Sequence, residues 1–120
     1  MLKRLGDFYR EDSNAGQGLR VLEKALQLER KRHPDGQDAK TQGIANTLHQ
    51  MGIVLRALGQ PRAAMDKYEA SLAMERAVHP DGQDAKTQGI AATLSEMGSV
   101  LEALGQPRAA MDKYEASLAM

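Results

Sequence analysis

The chain repeats itself. Residues 33–74 recur at residues 79–120 with a shift of 46 positions, and only five of the 42 aligned positions differ. A period of roughly 20 to 50 residues is typical of arrays in which one small helical or β unit stacks on the next. Such a unit cannot bury its own apolar face, so neighbouring units must cover it. The repeat therefore constrains the chain to stacked units that share a core.

Each unit has the periodicity of two helices. In the second unit, apolar and small residues recur at three- and four-residue steps, as on one face of an α-helix. This helix A carries on that face Ile44, Leu48, Met51, Gly52, Leu55 and Leu58. We expect Asp35 or Asp38 to be its N-cap and Gly59 to end it in the left-handed conformation. Pro61 then opens helix B, which runs to about Ala77. Its predicted inner face consists of Ala64, Met65, Tyr68, Ser71 and Leu72.

A diverged first unit precedes the two near-identical ones. When the pattern is shifted back by 46 positions, its slots are filled by Leu2, Leu5, Gly6, Tyr9, Gly18, Leu22 and Ala25. The chain is therefore predicted to be a single array over residues 1–120, with units at 1–32, 33–78 and 79–120. The expected fold is all-α, with three helical hairpins and six helices.

The pattern resembles that of the tetratricopeptide repeat (TPR) family, in which a large-small pair on helix A meets a small residue and an aromatic ring on helix B. The residues that carry the resemblance are Leu48, Met51, Gly52, Leu55, Ala64 and Tyr68, with Leu94, Met97, Gly98, Leu101, Ala110 and Tyr114 in the third unit. The glycine lets helix B approach helix A. The first slot lacks the family's tryptophan, and no proline follows helix B at the usual distance.

The period of 46 and the His-Pro-Asp sequences at 33–35 and 79–81 are similar to long TPR units of the kinesin light chain type. This resemblance implies a right-handed α-α solenoid whose A helices line a concave groove for an extended peptide or a helix. It also implies that helix A is longer at its N-terminal end by about two turns, an extension that the first unit lacks.

The five differences between the two copies fall on one face of helix A. They are Asn46/Ala92, His49/Ser95, Gln50/Glu96, Ile53/Ser99 and Arg56/Glu102. At about 100° per residue they occupy an arc of roughly 120°, pointing away from the apolar stripe. The resemblance assigns this arc to the ligand groove, and the first unit would add to it Lys3, Asp7 and Arg10.

Neutral substitution at solvent-exposed positions is an alternative explanation of the five differences, because exposed positions tolerate substitution and core positions do not. However, the outward-facing residues of helix B are identical in both copies, namely Arg62, Asp66, Lys67 and Glu69 and their counterparts. Drift alone should have changed these positions too. The sequence therefore favours a protein–protein interaction scaffold that binds a peptide or protein segment in the groove.

Composition argues against several other functions. Lys and Arg together number 16, equal to Asp and Glu, so no net field recruits nucleic acid or an anionic membrane. The sequence has no Cys, no apolar run that would span a membrane and no signal peptide, and we expect a cytoplasmic chain. We find no catalytic constellation and expect neither an enzyme nor a cofactor. His33 and His79 precede prolines and are interpreted as turn residues rather than metal ligands.

A second hypothesis concerns self-association. Solenoids normally end in a polar capping helix, and the sequence does not show one after the third helix B. Met111, Tyr114 and Leu118 are therefore expected to face solvent in part, at a cost of roughly 1.5 to 3 kcal/mol for each large side chain left unburied. The alternative function is a structural module that forms homo-oligomers through terminal helices or exchanged hairpins.

Charge along the predicted groove changes from basic to acidic. The second unit offers His49 and Arg56, whereas the third offers Glu96 and Glu102. A peptide would then place acidic residues towards the N-terminal units and basic ones near the third. Arg56→Glu is expected to invert or abolish this ligand preference in a peptide-binding assay, and unchanged binding would contradict the electrostatic interpretation.

Overall fold

The computed structural model describes residues 14–36, 39–82 and 85–120. Within these residues the chain forms helices and no strand: α1 (Asn14–Arg32), α2 (Gln42–Ala57), α3 (Pro61–Val78), α4 (Gln88–Ala103) and α5 (Pro107–Leu118). Each helix packs mainly against its neighbours in the chain. The all-α prediction is confirmed. Helices α2 and α3 are helices A and B of the second unit, α4 and α5 those of the third, and α1 is helix B of the first. The predicted helix A of the first unit lies outside the described residues.

Threonines, not aspartates, begin the A helices. Thr41 has extended backbone angles (φ −137°, ψ 156°), and its hydroxyl oxygen accepts the N–H of Ile44 at 3.0 Å. Thr87 does the same for Ile90, also at 3.0 Å. The prediction of Asp35 or Asp38 as N-cap was therefore wrong, because helix A of the second unit begins at Gln42. A tight turn at residues 33–36 takes the place of the expected start of the helix.

The turn is built by a histidine and a glycine. The Nδ1 atom of His33 accepts the backbone N–H of Asp35 at 3.1 Å, and Gly36 follows with φ of 56°. Only glycine adopts such a left-handed angle without strain. The copy at His79 has the same geometry, with Asp81 donating at 3.1 Å. Because Nδ1 is used as an acceptor here, the neutral ring carries its hydrogen on Nε2. These histidines act as turn residues, as predicted.

Gly59 ends α2 as predicted. Its φ is 75°, its N–H donates to the carbonyl of Arg56 at 3.0 Å, and the next N–H, that of Gln60, donates to Leu55 at 2.9 Å. This pair of bonds is a Schellman motif, which satisfies carbonyls that the helix leaves unpaired. Pro61 starts α3 immediately afterwards. Because α2 ends at Ala57 and α3 begins at Pro61, the chain reverses over a few residues and helix B packs alongside helix A.

The core runs along the array instead of filling one centre. One buried cluster joins α1 to α2 and the segment before it, and it contains Leu26, Ala39, Ile44, Leu48 and Met51. A second cluster joins α2 and α3 to α4, and its main members are Leu55, Tyr68, Leu72, Ile90, Leu94, Met97 and Val100. The second cluster takes its side chains from two units. Stacking therefore buries surface that a single hairpin would expose.

Within each hairpin, a tyrosine ring packs on a bare glycine. A Cβ added to Gly52 would lie 2.6 Å from Cε1 of Tyr68, and one added to Gly98 would lie 2.7 Å from Cε1 of Tyr114. Real Cβ atoms do not approach a ring so closely, so the spacing between the helices requires glycine. A serine hydroxyl strengthens the same contact, because Ser71 Oγ donates to the carbonyl of Ala45 at 2.7 Å. The predicted role of the glycine is confirmed for both described hairpins.

Gly52→Ala is expected to destabilise the chain by about 1 to 3 kcal/mol, because the new methyl group must displace the buried Tyr68 ring. Gly18→Ala is the matched control: Gly18 also lies inside a helix, but among the described residues nothing is within 4 Å of an added Cβ. That substitution should stabilise by about 0.5 to 1 kcal/mol through helix propensity. Urea denaturation followed by circular dichroism measures both. Equal effects of the two substitutions would contradict the packing account.

Candidate functional site at the junction of two units

The predicted groove residues lie on the solvent side of α2 and α4, and none of those described is buried. The exposed ones are Asn46, Gln50, Ile53, Arg56, Ala92, Ser95 and Glu102, and the half-buried ones are His49, Glu96 and Ser99. Lys3, Asp7 and Arg10 lie outside the described residues. The helical arc inferred from the repeat therefore corresponds to one surface of the folded chain.

A cleft of about 250 Å³ opens on this surface between the second and third units. Four of the predicted residues line it. The other six that the structure describes do not, namely Ile53, Arg56, Ser95, Glu96, Ser99 and Glu102. Its walls also include a carboxylate from α3 and a glycine from α4, neither of which the sequence analysis identified. The lining residues are Asn46, His49, Gln50, Glu75, Gly89 and Ala92.

Glu75 fixes the end of the cleft. One of its carboxylate oxygens accepts the side-chain amide of Gln42 at 3.0 Å, and the other accepts the hydroxyl of Thr87 at 3.0 Å. The same Thr87 oxygen caps α4, so the carboxylate lies at the positive end of that helix dipole. A Cβ on Gly89 would collide with the carboxylate. The start of α4 is thus held against α3 by one acidic side chain.

The first two units have the same clamp. Thr41 donates its hydroxyl to Glu29 at 3.2 Å, and Gly43 takes the place of Gly89 beside the carboxylate. A signal for it was present in the sequence: Glu29-Arg30 matches Glu75-Arg76 at the repeat distance, within a helix B that has otherwise diverged strongly. The pairing of glutamate with threonine was not predicted, because the two residues are twelve positions apart and do not lie on the same helix, so helical periodicity does not relate them.

His49 joins α2 to α4. Its Nδ1 lies 2.8 Å from the hydroxyl oxygen of Thr93, which in turn donates to the carbonyl of Gly89 at 3.0 Å. Because a hydroxyl has one hydrogen, and this one is used for the carbonyl, His49 donates from Nδ1. The imidazole also packs against the ring of Tyr68, with centroids 5.6 Å apart and planes tilted by 60°. His49, which is replaced by serine in the other copy, thus contacts Thr93 and Tyr68, which are identical in both copies.

Glu96 completes the junction. It accepts the phenol hydroxyl of Tyr68 at 3.2 Å, and Nη1 of Arg56 lies 3.9 Å from the same carboxylate oxygen. Arg56 and Glu96 occupy two of the five positions that differ between the copies, and His49 occupies a third. Part of the difference between the units therefore serves the contact between them, which the sequence analysis did not anticipate.

In the third unit, the tyrosine hydroxyl has its hydrogen-bond acceptor within the same unit. Tyr114 donates its hydroxyl to Glu102, which stands on α4 where α2 has Arg56. In the second unit the equivalent phenol instead bonds across the junction. The second unit has Arg56 where the third has Glu102. With this difference, the acceptor of the tyrosine hydroxyl changes from a residue of the following unit to a residue of the same unit.

The chain matches no protein-family model, no curated protein and no solved structure. Among the described residues, no helix has the length and apolar character needed to cross a membrane. In the same residues, no group of three or more His, Asp or Glu side chains is placed to hold a metal ion.

The environment of Tyr68 favours its neutral form. Burial raises the pKa of the phenol well above its ordinary value of 10.0, and the neighbouring Glu96 carboxylate raises it further. Arg56 lowers this pKa, but its effect is smaller. For Tyr114, the hydrogen bond to Glu102 is the main cause of a raised pKa. A pKa raised by folding contributes stability that is complete below the unfolded-state pKa and is lost as the pH rises through the folded-state pKa.

We expect the free energy of unfolding to fall as the pH rises above about 10, the ordinary pKa of tyrosine. Tyr68→Phe should make this fall shallower, because phenylalanine has no proton to lose. Tyr114→Phe is the control and should retain most of the dependence, since Tyr68 is fully buried and Tyr114 is not. Urea denaturation at a series of pH values measures the effect. A Tyr68→Phe profile parallel to that of the unmodified chain would contradict it.

Proposed function

We propose that the chain is a non-catalytic protein–protein interaction scaffold of the TPR type, which binds an extended peptide or protein segment across its A helices. In this proposal the three hairpins form a right-handed solenoid, and the protein acts in the cytoplasm. The observation that carries it is the cleft between α2 and α4, where Asn46, His49, Gln50 and Ala92 converge. These residues occupy three of the five positions at which the two copies differ, whereas the rest of the 42 aligned positions are identical.

The repeated geometry supports the array. Both described hairpins have a threonine cap, a glycine stop and a tyrosine packed on glycine, all at the repeat distance. Equivalent contacts give equivalent helix packing, so each unit follows the last by a similar rotation and translation. An array built this way presents its A helices side by side on one surface.

The size of the cleft favours a peptide over a small molecule. Its volume of about 250 Å³ is below the roughly 300 to 1,000 Å³ typical of small-molecule pockets. The cleft is also open, and the amides of Asn46 and Gln50 offer both hydrogen-bond donors and acceptors at its edge. An extended peptide backbone presents the same two kinds of group in alternation. Ala92, an exposed residue with only a methyl side chain, leaves room for that backbone to approach α4.

The charges of the surface are partly compensated within the chain. Arg56 and Glu96 face each other at 3.9 Å, and Glu102 accepts the hydroxyl of Tyr114. Arg56→Glu would therefore place a carboxylate against Glu96 and disturb the junction as well as any ligand. Asn46 and Gln50 are better positions for a test, because they line the cleft without joining the two units.

We expect Asn46→Ala/Gln50→Ala to bind a peptide selected from a displayed library at least about tenfold more weakly than the unmodified chain. Tenfold is about 1.4 kcal/mol, which the loss of two hydrogen bonds supplies when each is worth about 0.7 kcal/mol, within the usual range of about 0.5 to 1.5 kcal/mol. The library is selected on the unmodified chain, and affinity is measured by isothermal titration calorimetry.

The matched control is Arg62→Ala/Glu69→Ala, which alters two exposed residues on α3 outside the cleft lining. It should bind as the unmodified chain does, and circular dichroism should show that both variants retain their helices. Equal weakening by the cleft and control variants, or no peptide selected above background, would contradict the proposal.

A further inference from the structure

A second cleft, of about 250 Å³, lies between the B helices α1 and α3 and includes one residue of α2. The apolar part of its lining consists of Leu26 and Met51, which are only 7% and 3% exposed. Three charged side chains complete most of the wall: Glu23 is exposed, whereas Arg30 and Lys67 are half-buried. This B-helix cleft has no residue in common with the cleft between α2 and α4.

The charged groups of the B-helix cleft are not paired with one another. In the described part of the chain, Glu23, Arg30 and Lys67 form no salt bridge and no side-chain hydrogen bond. Nε of Arg30 is buried, and no acceptor in the chain reaches it. Burying part of a charged group without an acceptor is unfavourable. An anion held beside this guanidinium would offset that cost.

The repeat retains these charges where most of helix B has changed. When residues 15–32 are aligned with residues 61–78, only four of the 18 positions are identical. Two of the four have structural roles, because Leu26 belongs to the core and Glu29 accepts the hydroxyl of Thr41. The other two are Glu23 and Arg30, which both line the B-helix cleft. Neither the core nor the clamp accounts for their presence in both units.

The same set of residues recurs on the next pair of B helices, α3 and α5. The counterparts have the same three charges and the same leucine and methionine, and Nε of the corresponding arginine is again buried without an acceptor. Only Gln27 is replaced, by Ala73. The five matching residues are Glu69, Leu72, Arg76, Met97 and Lys113. Two equivalent sets of charges therefore follow each other along the B helices.

The net charge of the set favours a carboxylate ligand. Arg30 and Lys67 supply two positive charges and Glu23 one negative charge, so a single negative charge balances the set. Glu23 lies seven residues from Arg30, or roughly 10 Å along the helix, and is too far along it to neutralise the guanidinium. A carboxylate matches the planar donors of arginine, whereas a doubly charged phosphate would leave excess negative charge near Glu23.

We propose that the B-helix cleft binds the side-chain carboxylate of an acidic segment of a partner protein, held by Arg30 and Lys67. The methylene groups of that side chain pack on Leu26 and Met51. A longer acidic segment would also reach the equivalent set on α3 and α5, and two linked contacts bind more tightly than either alone. This site goes beyond the proposed function, because it lies outside the cleft between α2 and α4.

NMR titration of the full 120-residue chain tests the proposal. The probe is a short blocked peptide of alternating glutamate and leucine, and its glutamine analogue is the uncharged reference. The Arg30 Nε–H signal and the amide signals of α1 and α3 should shift with the glutamate peptide only.

Three substitutions test the role of each charge, with affinity measured from the amide signals of α1. Arg30→Gln and Lys67→Gln should each weaken binding at least about tenfold, because each removes a charge-assisted hydrogen bond. Glu23→Gln should strengthen binding by about two- to fivefold, since it removes a negative charge from the wall. Circular dichroism shows whether each variant keeps its helices, and the result for Glu23→Gln stands even where another variant unfolds.

The charge-matched control is Arg62→Gln, at an exposed position of α3 outside the cleft lining. It should bind the glutamate peptide as the unmodified chain does, and so should Asn46→Ala/Gln50→Ala, which separates this site from the proposed peptide cleft. Equal shifts with both peptides would overturn the proposal, as would weakening by Arg62→Gln equal to that by Arg30→Gln. Weaker binding in Glu23→Gln, or tighter binding of inorganic phosphate than of the glutamate peptide, would overturn the choice of a carboxylate.

Discussion

One buried tyrosine links the packing within a helical hairpin to the contact with the next unit. The ring of Tyr68 lies on the bare backbone of Gly52, so α2 and α3 can approach closely. The same ring packs against His49, and its hydroxyl reaches Glu96 on the next unit. The ring is buried in a cluster that includes side chains of α4, so stacking of the next unit contributes to its burial. The residues of the cleft wall, His49 among them, lie beside this arrangement.

The positions that differ between the copies serve more than one purpose. Asn46 and Gln50 line an open cleft and join no other unit, whereas His49, Arg56 and Glu96 form the junction. Glu102 accepts the phenol of its own unit. The two tyrosines thus have different acceptors, Glu96 of the following unit for Tyr68 and Glu102 of the same unit for Tyr114, and both acceptors stand at positions that differ between the copies. The proposed peptide binding and the contact between the units therefore involve different residues of one helix face.

Much of the fold was predictable from the sequence, because the core pattern is local. The apolar stripe from Ile44 to Leu55, the stop at Gly59 and the start at Pro61 each follow from a preference of a few consecutive residues. The beginning of helix A was not predicted correctly. Asp35 and Asp38 are good N-caps by residue type, but the chain turns at Gly36, and only after that turn does Thr41 reach an extended conformation and cap α2. Three candidate caps within seven residues, Asp35, Asp38 and Thr41, cannot be ranked without knowing where the neighbouring helix lies.

The sequence by itself determined that the chain is built of stacked helical pairs, that glycine and tyrosine meet in each pair, and that the five differences share one helix face. These follow from periodicity and from the repeat, which are properties of the chain alone. Only the tertiary structure decided which residues meet across the units: the Glu75 clamp on Thr87, the His49 contact to Thr93 and the pairing of Arg56 with Glu96. These contacts join residues 12 to 44 positions apart on different helices. Their formation depends on the rotation and offset of one helix against another, which side-chain packing sets and helical periodicity does not.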